Sequence, residues 1–481
     1  MKFTINRNDP LPLYLQIKNE IEMLILSEEY PNGFILLSER KLADILGVNR
    51  STTIKSYDLL KDMGLIESKV GKGTYVIYEK NIANNENIFN EIYWDNYLGN
   101  YSFKNSINIM SKIMSEVSKE NLISLSGGFP SKEVYPYDKL KQINIEILEN
   151  NEIFFQTPVR GDRAFVLTLI KYLYSNKHIK LNHKELMVTS GSQQALNLLI
   201  QTFVNPGDNI IIENPSFFGA IHLFRKAKAN LISTNISGEG IDLNHIEFQL
   251  KNNNIKFMYL LPNFQNPTGY NMSIEDRKKI LYLSKKYKVP IIEEDPYGEL
   301  YFDKYTPSIK SLDTENFVVH IGTFSKTLSP GFRIGYIAAD KTVIKKLTLL
   351  NQFIDIHANT ISQNIINKFL SKDFYNEHLE IVRSHYKLKR DAMVNELNKG
   401  QLTFQIPKGG YYIWCQLDKR ISVDLLLKES LKNGVDFIPG EFFFNNSYEG
   451  RNFIRLNFTS STKKEIIKGV RIINDIIKNM R

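Results

Sequence analysis

The stretch Gly322-Thr323-Phe324-Ser325-Lys326-Thr327-Leu328-Ser329-Pro330-Gly331-Phe332-Arg333-Ile334-Gly335-Tyr336 decides the fold of most of this 481-residue chain. It follows a β-rich run and places one lysine among hydroxyl side chains, with an arginine seven residues later. A lone lysine in a loop is usually a solvated surface charge. Between Thr323, Ser325 and Arg333, however, Lys326 is better explained as the imine-forming amine for a phosphorylated aldehyde, with its neighbours as phosphate donors. The stretch therefore predicts a site for pyridoxal 5'-phosphate.

Composition and length limit the class of protein. Apolar residues make up 42% of the chain and charged residues 23%, which is ordinary for a soluble protein with a sizeable core. No apolar run reaches the ~18 residues that span a bilayer, and the N-terminus has no signal-peptide pattern. The single cysteine, Cys415, excludes an internal disulfide and a cysteine-based metal cluster. We expect a cytoplasmic protein of about two to four domains, with no membrane segment and no metal site.

The net charge of +9 is typical of polyanion-binding proteins, but it is not concentrated at the N-terminus. Residues 1–78 contain ten Lys/Arg and ten Asp/Glu, so this segment is neutral overall. Most of its cations lie from residue 40 onward. Because local patches matter more than totals for nucleic-acid binding, the position of each cation in the predicted elements decides the question.

The first 78 residues have the spacing of a helix-turn-helix followed by a β-hairpin. Apolar periodicity and turn residues predict three helices and two strands, over residues 13–26, 39–46, 50 to about 63, 65–70 and 74–77. Ser38 and Asn49 are suitable N-caps for the second and third helices, and Gly47 closes the second. Two helices joined by a glycine-containing turn form a helix-turn-helix, and the hairpin forms a wing.

Helix-turn-helix shapes also occur as small packing modules that do not bind DNA. Here the polar residues favour DNA binding, because Arg50, Ser51 and Thr52 occupy the first turn of the third helix, which enters the major groove in such proteins. Arg40 begins the second helix, near a phosphate, and a lysine between two glycines marks the wing tip. The residues predicted to contact DNA are Arg40, Arg50, Ser51, Thr52, Lys55, Lys72 and Gly73.

The same segment resembles the GntR winged-helix family. The matching residues are Leu37-Ser38-Glu39-Arg40, Leu42-Ala43, Leu46-Gly47-Val48-Asn49-Arg50-Ser51-Thr52, Tyr57, Leu60, Gly64-Leu65-Ile66 and Gly71-Lys72-Gly73-Thr74. Leu37 stands where that family commonly has a proline, which leaves the helix start intact. The resemblance implies a DNA-binding domain over residues 1–78.

Residues 79–115 are predicted to be a linker. The run 79–87 is rich in asparagine and has little to bury, so it has the composition of a tether. Beyond it, apolar residues between 88 and 98 could form one face of a short helix. That helix would dock on the chain's own C-terminal domain or on a partner, and the sequence does not separate the two.

Strands and helices alternate over residues 116–481, which predicts an α/β fold with a largely parallel sheet. In Val188-Thr189-Ser190-Gly191-Ser192-Gln193-Gln194-Ala195-Leu196 a strand passes through small residues into a helix. The amides at that helix start and the Ser192 hydroxyl would bind an anion. Together with Ser325, Lys326 and Arg333 they would complete a phosphate site.

Two more strand ends carry polar residues that would face the same cleft. Asn266 lies in an Asn-Pro-Thr-Gly turn, which is either simple punctuation or a ligand contact at the carboxyl end of a parallel strand. The next strand ends in Glu293-Glu294-Asp295-Pro296-Tyr297. Three consecutive acids are costly to bury without a cation, and a protonated pyridine nitrogen is such a cation. Tyr297 would donate to the ring oxygen beside Asn266.

These motifs resemble the fold type I aminotransferases of class I and II, over about 350 residues. Further matches are Gly127-Gly128-Phe129-Pro130, Pro407-Lys408-Gly409-Gly410-Tyr411-Tyr412-Ile413-Trp414 and Ile438-Pro439-Gly440. The resemblance implies that Lys326 forms the Schiff base, that Phe217 stacks on the ring, and that Arg455 binds the α-carboxylate of the substrate. It assigns the ring oxygen to Asn266 and Tyr297, and the phosphate to Ser192, Gln193, Ser325 and Arg333. It also implies a smaller C-terminal α+β subdomain.

Two positions depart from that family. Its ring-nitrogen aspartate lies three residues before the tyrosine, where this chain has Glu294, and Asp295 follows immediately. Neighbouring side chains on a strand face opposite ways, so Glu294 is the better candidate. The family also has a tyrosine that reaches the phosphate of the partner subunit, and here that position is Gln156. Both departures affect efficient turnover more than cofactor binding.

A GntR-type winged helix, a linker and an aminotransferase domain in one chain resemble the MocR family of bacterial transcription regulators. That resemblance implies a homodimer, a DNA operator, and an effector that is either a small amino compound or pyridoxal 5'-phosphate itself. The expected mechanism is sensing by aldimine exchange at Lys326, with the effector carboxylate held by Arg455. The alternative is an active aminotransferase with an accessory DNA-binding domain, since Lys326 can act as both imine and general base.

Overall fold

The computed structural model describes residues 5, 7, 11–26, 29–69, 73–78, 122–149, 155–237 and 240–480. The chain divides into two compact units, one within the first 100 residues and one in the remainder. The predicted linker, residues 79–115, and the predicted wing residue Lys72 lie outside the described residues.

The first unit contains the three predicted helices, α1 (Leu13–Leu26), α2 (Glu39–Leu46) and α3 (Arg50–Asp62). Ser38 caps α2 by accepting a hydrogen bond from the Lys41 amide, and Asn49 caps α3 by accepting one from the Ser51 amide. Gly47 ends α2 in the left-handed conformation, with φ of 61°. The capping residues predicted from the sequence are therefore confirmed.

The wing is an antiparallel pair, β1 (Ile66–Lys69) and β2 (Gly73–Val76). Gly73 pairs with Lys69, so it belongs to the strand pair, one residue earlier than the predicted start of this strand. Its φ of +87° is the reason that glycine suits this position.

The inner face of α3 is fixed to α1 and α2 by buried side-chain hydroxyls. Thr53 donates to the Glu39 carbonyl at 2.9 Å, Ser56 to the Tyr14 carbonyl at 2.8 Å, and Tyr57 to the Leu37 carbonyl at 2.7 Å. All three side chains are buried. The orientation of α3 therefore depends on its inner residues and not on its outer face.

The second unit has two main sheets and flanking helices. Its strands are β3 (Ile123–Ser124), β4 (Leu186–Thr189), β5 (Asn209–Asn214), β6 (Asn230–Ser237), β7 (Gly240–Ile241), β8 (Ile255–Leu260), β9 (Ile291–Asp295), β10 (Val318–Thr323), β11 (Gly335–Ala338), β12 (Thr403–Phe404), β13 (Tyr412–Gln416), β14 (Val435–Asp436), β15 (Ile438–Pro439) and β16 (Phe453–Asn457). Its helices are α4 (Tyr137–Leu148), α5 (Arg163–Lys177), α6 (Ser192–Phe203), α7 (Phe218–Lys226), α8 (Leu243–Asn252), α9 (Ile274–Tyr287), α10 (Ile309–Leu312), α11 (Lys341–Ile354), α12 (Thr360–Ser371), α13 (Phe374–Leu397), α14 (Val423–Lys432) and α15 (Lys463–Asn479). Short 3-10 helices cover Lys132–Val134, Pro330–Phe332, Gly440–Phe443 and Ser447–Gly450.

The large sheet has eight strands in the order β4-β11-β10-β9-β8-β5-β6-β7. Strands β10, β9, β8, β5 and β6 run parallel, and β11 and β7 run antiparallel to their neighbours. Its central strands β8, β9 and β10 are buried along almost their whole length, as expected for a sheet covered by helices on both sides. The predicted α/β fold with a largely parallel sheet is confirmed.

The smaller part of this unit is built on a four-stranded antiparallel sheet in the order β12-β13-β16-β15. Its core includes residues from α13, α14 and α15, and Cys415 is buried there. The predicted C-terminal α+β subdomain is confirmed. None of the helices in the described ranges is long and apolar enough to cross a lipid bilayer.

Candidate functional site

A cavity of about 260 Å³ lies where the strands of the large sheet end, and we call it the central cavity. It is lined by Ser126, Gly127, Gly128, Phe129, Ser192, Gln193, Phe217, Phe218, Leu261, Asn266, Glu294, Pro296, Tyr297, Thr323, Ser325, Lys326, Arg333, Tyr412, Ile438 and Arg455. Ligands bind at this edge of open α/β sheets, because loops from several parallel strands meet there. Of the residues predicted for the cofactor and effector, all but Asp295 and Gln156 line the cavity.

Lys326 follows β10 and projects into the central cavity. Its Nζ donates a 2.6 Å hydrogen bond to the Gly128 carbonyl, and Tyr411 donates to the Lys326 carbonyl at 2.5 Å. Burial lowers the pKa of the Lys326 amine below its ordinary value of 10.5, and the positive charges of Arg455 and Arg333 lower it further. A lowered pKa increases the fraction of neutral, nucleophilic amine near pH 7.

The anion-binding end of the cavity is formed by the start of α6 and the loop after β10. Gly191 precedes α6 with φ of +90° and offers no side-chain cap, so the first amides of the helix are not satisfied by capping. The Ser325 hydroxyl is buried without a hydrogen-bond partner among the described residues. A phosphate placed here would satisfy both groups.

Two of the predicted phosphate donors have local partners as well. The Thr323 hydroxyl donates to the Ile334 carbonyl at 3.1 Å and accepts from the Ser325 amide at 3.1 Å. Its hydroxyl therefore shapes the loop in this structure, and its predicted role as a phosphate donor stays a prediction. Arg333 donates to the Ser190 carbonyl at 3.2 Å and keeps its other donors at an exposed position beside the cavity.

The two acidic candidates for the ring nitrogen face opposite sides of β9, as strand alternation requires. Glu294 lines the central cavity and accepts a 2.5 Å hydrogen bond from the Tyr259 hydroxyl. Burial raises the pKa of Glu294, so a cation beside it would be needed to favour its charged form. The structure therefore brings Glu294, with its extra methylene, to the site.

Asp295 does not line the cavity, which corrects its inclusion among the cofactor contacts. It forms a buried ion pair with Lys177 at 2.8 Å and accepts from the Asn263 side chain at 2.8 Å. Burial alone would raise the pKa of Asp295, but the charge of Lys177 and these hydrogen bonds lower it to about 2. Asp295 is therefore a structural counter-ion for Lys177 at the end of β9.

Arg455 lies on β16 and is only 4% exposed. Its guanidinium donates to Asn266 Oδ1 at 2.9 Å and to the Ser126 carbonyl at 2.7 Å, while its Nε has no partner among the described residues. No carboxylate of the described residues pairs with it. Because a buried cation without a counter-ion is unfavourable, the site calls for an anionic ligand.

Tyr297, predicted to contact the ring, lines the cavity with its hydroxyl 3.3 Å from that of Tyr412. Tyr412 was not predicted as a site residue. Its ring lies 4.0 Å from the Arg455 guanidinium carbon. Burial would raise the pKa of Tyr412, but Arg455 and Lys326 lower it overall. The sequence pointed to Tyr412 only through the run 407–414, which matches the aminotransferases but to which no functional role was assigned.

Gln156 is exposed and does not contribute to the cavity of this single chain. Its position five residues before Gly161 was expected to reach the phosphate of a partner subunit. The prediction that it binds cofactor therefore depends on a second chain. Within one chain the side chain has no such role.

In the first unit, the predicted DNA contacts on α2 and α3 lie on the outer side of these helices. Arg40, Arg50 and Ser51 are exposed, and Thr52 is partly exposed. The Ser51 hydroxyl donates to Asn49 Oδ1 at 3.0 Å, so it supports the cap of α3. Lys55 is exposed with its Nζ 4.0 Å from the centre of the Tyr14 ring. The outer face thus presents cations at the helix start, as predicted.

The residues of the central cavity fit pyridoxal 5'-phosphate on three observations. The buried, unpartnered Ser325 hydroxyl and the uncapped start of α6 fit its phosphate. Glu294 fits the ring nitrogen, and Lys326 fits the aldehyde carbon. Finally, a side chain at Gly191 would lie 2.6 Å from the Arg333 guanidinium, so glycine is required to keep this arginine at the phosphate end.

Two family models match the chain. The aminotransferase class I and II model matches residues 120–473, and the model of bacterial regulatory proteins of the gntR family matches residues 13–76. The first covers the unit that contains the central cavity, and the second covers the helix-turn-helix.

Individual proteins resemble the chain over one or both parts. An uncharacterized HTH-type transcriptional regulator of Bacillus subtilis, YdfD, is 31% identical over 474 residues, which is 98% of this chain and 97% of that protein. Aromatic-amino-acid aminotransferase 1 of Thermococcus litoralis is 34% identical over 378 residues, or 76% of this chain and 90% of that protein. The crystal structure of a multiple substrate aminotransferase from Thermococcus profundus superposes with a TM-score of 0.77 at 33% identity, covering 81% of this chain and 99% of that one.

Proposed function

The chain belongs to the class I and II aminotransferase family and carries a GntR-family DNA-binding domain, which is the arrangement of MocR-type regulators. We propose that it is a transcription regulator that senses an amino compound through Lys326. Its cofactor is pyridoxal 5'-phosphate, as in the aminotransferases it resembles. The proposed setting is the bacterial cytoplasm, where the operator DNA is found.

One observation carries the proposal: Lys326 and Arg455 line the same cavity. An amine-reactive group and a buried guanidinium without a counter-ion together select a molecule with both an amine and a carboxylate. An amino acid has this combination. If the effector were the cofactor itself, occupancy of the site would be the signal and Arg455 would be dispensable.

When bound, pyridoxal 5'-phosphate supplies an aldehyde that reacts with amines and a ring that withdraws electrons. The protein's own residues position the reactants around it and exchange protons with them. Lys326 provides a buried amine of lowered pKa that can hold or release a proton at Nζ. Asn266 fixes the Arg455 fork, which would hold the effector carboxylate beside Tyr412.

Control of DNA binding requires that the effector bind one arrangement of the protein more tightly than another. The linker, residues 79–115, is proposed to convert that change into a change of winged-helix spacing. Deletion of residues 81–87 should alter the effector response of DNA binding, and an unchanged response would contradict this role for the linker.

The functional form is proposed to be a homodimer. Large apolar side chains lie uncovered near the phosphate end of the cavity, with Leu349 50%, Phe353 87% and Ile356 48% exposed. Asp355, in the middle of this run, accepts a hydrogen bond from Ser190, next to the start of α6. Exposed apolar groups of this size usually mark an interface.

We expect Phe353→Asp to shift the protein toward a monomer, because a carboxylate would have to be buried in the interface. Sedimentation velocity at micromolar concentration measures this. The matched control is Phe248→Asp on α8, where the side chain is 59% exposed. Equal dimerisation of both variants would exclude the 349–356 run from the interface.

The DNA contacts are tested by Arg50→Ala. We expect its affinity for an operator selected from random DNA to fall by about tenfold or more, because a bidentate arginine–base contact contributes about 1–3 kcal/mol. Lys61→Ala is the matched control, since Lys61 lies at the other end of α3 and pairs with Asp58 at 3.3 Å. Fluorescence anisotropy at fixed salt gives both affinities. An unchanged affinity of the Arg50→Ala variant would show that Arg50 does not contact the operator.

The function itself is tested by following the cofactor spectrum and operator binding together. The purified holoprotein is titrated with a panel of amino acids and amines, with Lys326→Ala as the variant that cannot attach the cofactor. We expect one amino compound to shift the visible band of wild-type protein and to change operator affinity at the same concentration. The Lys326→Ala protein should show neither effect.

The second candidate function is an active aminotransferase, which the complete set of cavity residues favours. A turnover assay on the same holoprotein tests it. Turnover of an amino-acid/keto-acid pair at about 1 per second or faster would place the protein in the ordinary enzyme range. Slow, stoichiometric spectral change linked to DNA binding supports the sensor. A spectrum that responds without any change in DNA affinity would overturn the proposal.

A further inference from the structure

A second cavity, of about 440 Å³, opens beside the central cavity and shares no lining residue with it. We call it the side cavity. It lies where the ends of β5 and β6 meet the sheet that contains β12, β13 and β16. Its lining residues are Asn214, Pro215, Asn235, Ile236, Ser237, Thr268, Tyr270, Thr403, Phe404, Gln405, Trp414, Gln416, Phe444, Glu449 and Phe453.

One wall of the side cavity is aromatic. The Trp414 indole stacks on the Phe453 ring, with centroids 5.2 Å apart and planes 7° apart, and Phe444 lies 6.0 Å from Phe453. Trp414 and Phe453 are only partly buried. The π-faces of such rings, above all of tryptophan, attract cations.

The lining of this cavity also includes an exposed carboxylate, Glu449, which is held by a hydrogen bond. Asn214 donates to Glu449 Oε2 at 2.8 Å and to Asn235 Oδ1 at 3.0 Å, so one amide holds both acceptors in place. Among the described residues that line the cavity, Glu449 is the one with a formal charge, although the whole chain carries +9. A positively charged ligand would be attracted to Glu449, whereas an anion would find no basic side chain in the lining.

From the aromatic wall and the single carboxylate we infer that the side cavity is a binding site for a small organic cation with an apolar body. An ammonium group would lie between Glu449 and the Trp414 ring, and the apolar body would contact Phe444 and Phe453. Aromatic ring faces are a recognised way to bind quaternary ammonium ligands, and the carboxylate adds charge attraction.

The side cavity is close to the central cavity without being part of it. Phe443 lies between them, with its ring 5.6 Å from Trp414 and 5.0 Å from the Arg455 guanidinium carbon. A test ligand must therefore be unable to react at Lys326. Benzyltrimethylammonium meets this need, because its quaternary nitrogen has no proton to lose and cannot condense with an aldehyde.

We expect the holoprotein to bind benzyltrimethylammonium saturably, at one site per chain, by isothermal titration calorimetry. Glu449→Gln keeps an acceptor for Asn214 but removes the charge, and should weaken binding about tenfold. Gln416→Lys adds a cation at an exposed part of the lining and should have a similar effect without disturbing the core. Glu429→Gln, a surface change on α14, should leave the affinity unchanged.

Neutral benzyl alcohol should bind at least about tenfold more weakly than the cation. Benzoate should not displace benzyltrimethylammonium, because any benzoate bound at Arg455 lies in the central cavity. The inference is overturned if benzyltrimethylammonium gives no saturable heat, or if benzoate displaces the cation. It is also overturned if neither Glu449→Gln nor Gln416→Lys weakens binding. Should Glu449→Gln fail to fold, as seen by thermal unfolding, Gln416→Lys alone decides the outcome. None of these results depends on whether the protein regulates transcription.

Discussion

Replacement of Arg455 by Met should lower the affinity for an amino-acid effector by about 30-fold or more. Removing one partner of a buried, hydrogen-bonded charge pair typically costs about 2–5 kcal/mol, and 2 kcal/mol corresponds to about 30-fold. The structure supports a large value, because Arg455 is 4% exposed and has no carboxylate partner among the described residues. The measurement is a spectral titration with the amino acid that shifts the wild-type cofactor band.

The decarboxylated amine of the same amino acid provides the internal comparison. Its affinity should change by no more than about threefold in Arg455→Met, because it has no group for the guanidinium to bind. Arg451→Met is the control variant, since Arg451 is exposed and its guanidinium stacks 4.5 Å from the Tyr448 ring. Equal losses for the amino acid and the amine would show a general distortion of the cavity. No loss for either would mean that Arg455 does not bind the carboxylate.

Replacement of Lys177 by Met should lower the free energy of unfolding of the larger unit by about 3–5 kcal/mol. The Lys177–Asp295 pair is buried, at 3% and 0% side-chain exposure, and loss of the lysine leaves an uncompensated buried carboxylate. Urea denaturation followed by circular dichroism measures the change. Lys171→Met, at an exposed position of the same helix α5, should stay within about 0.5 kcal/mol of wild type.

The pH dependence of this difference provides a separate check. The folded-state pKa of Asp295 is about 2, below its ordinary value of 3.8, so its contribution is present above pH 3.8 and is lost as pH falls toward 2. Burial alone would lower the pKa of Lys177, but Asp295 raises it well above 10.5, so the lysine stays charged throughout this range. In Lys177→Met, burial without the lysine raises the pKa of Asp295 above its ordinary value, so the variant takes up this proton at a higher pH than wild type does. The stability gap between wild type and Lys177→Met should therefore narrow as pH falls toward 2. A constant gap down to pH 2 would contradict the assignment.

The sequence was most informative where function lies at the end of a strand. Lys326, Asn266 and Ser192 each follow a short apolar run, and parallel strands bring such positions together regardless of their distance along the chain. The choice between Glu294 and Asp295 also followed from the sequence, because adjacent residues of an extended strand face opposite ways.

The sequence could not show which partner each polar group takes. Lys177 and Asp295 are 118 residues apart, and nothing local to either predicts their pairing. The hydrogen bond from Thr323 to the Ile334 carbonyl depends on how the loop folds back, so the sequence did not show it. The contact of Tyr412 with Arg455 depends on the pairing of β13 with β16, which a single sequence does not give.

The hydroxyls that hold α3 have a consequence for how the operator preference of such a protein evolves. Thr53, Ser56 and Tyr57 fix the helix from within, so they carry its stability, while the exposed Arg50 side chain on the outside contributes little to it. Mutations on the outer face are therefore nearly neutral for folding and can accumulate freely after gene duplication. Copies of one ancestral gene can acquire new target sites in this way, and a designer can graft a different reading face onto the same scaffold.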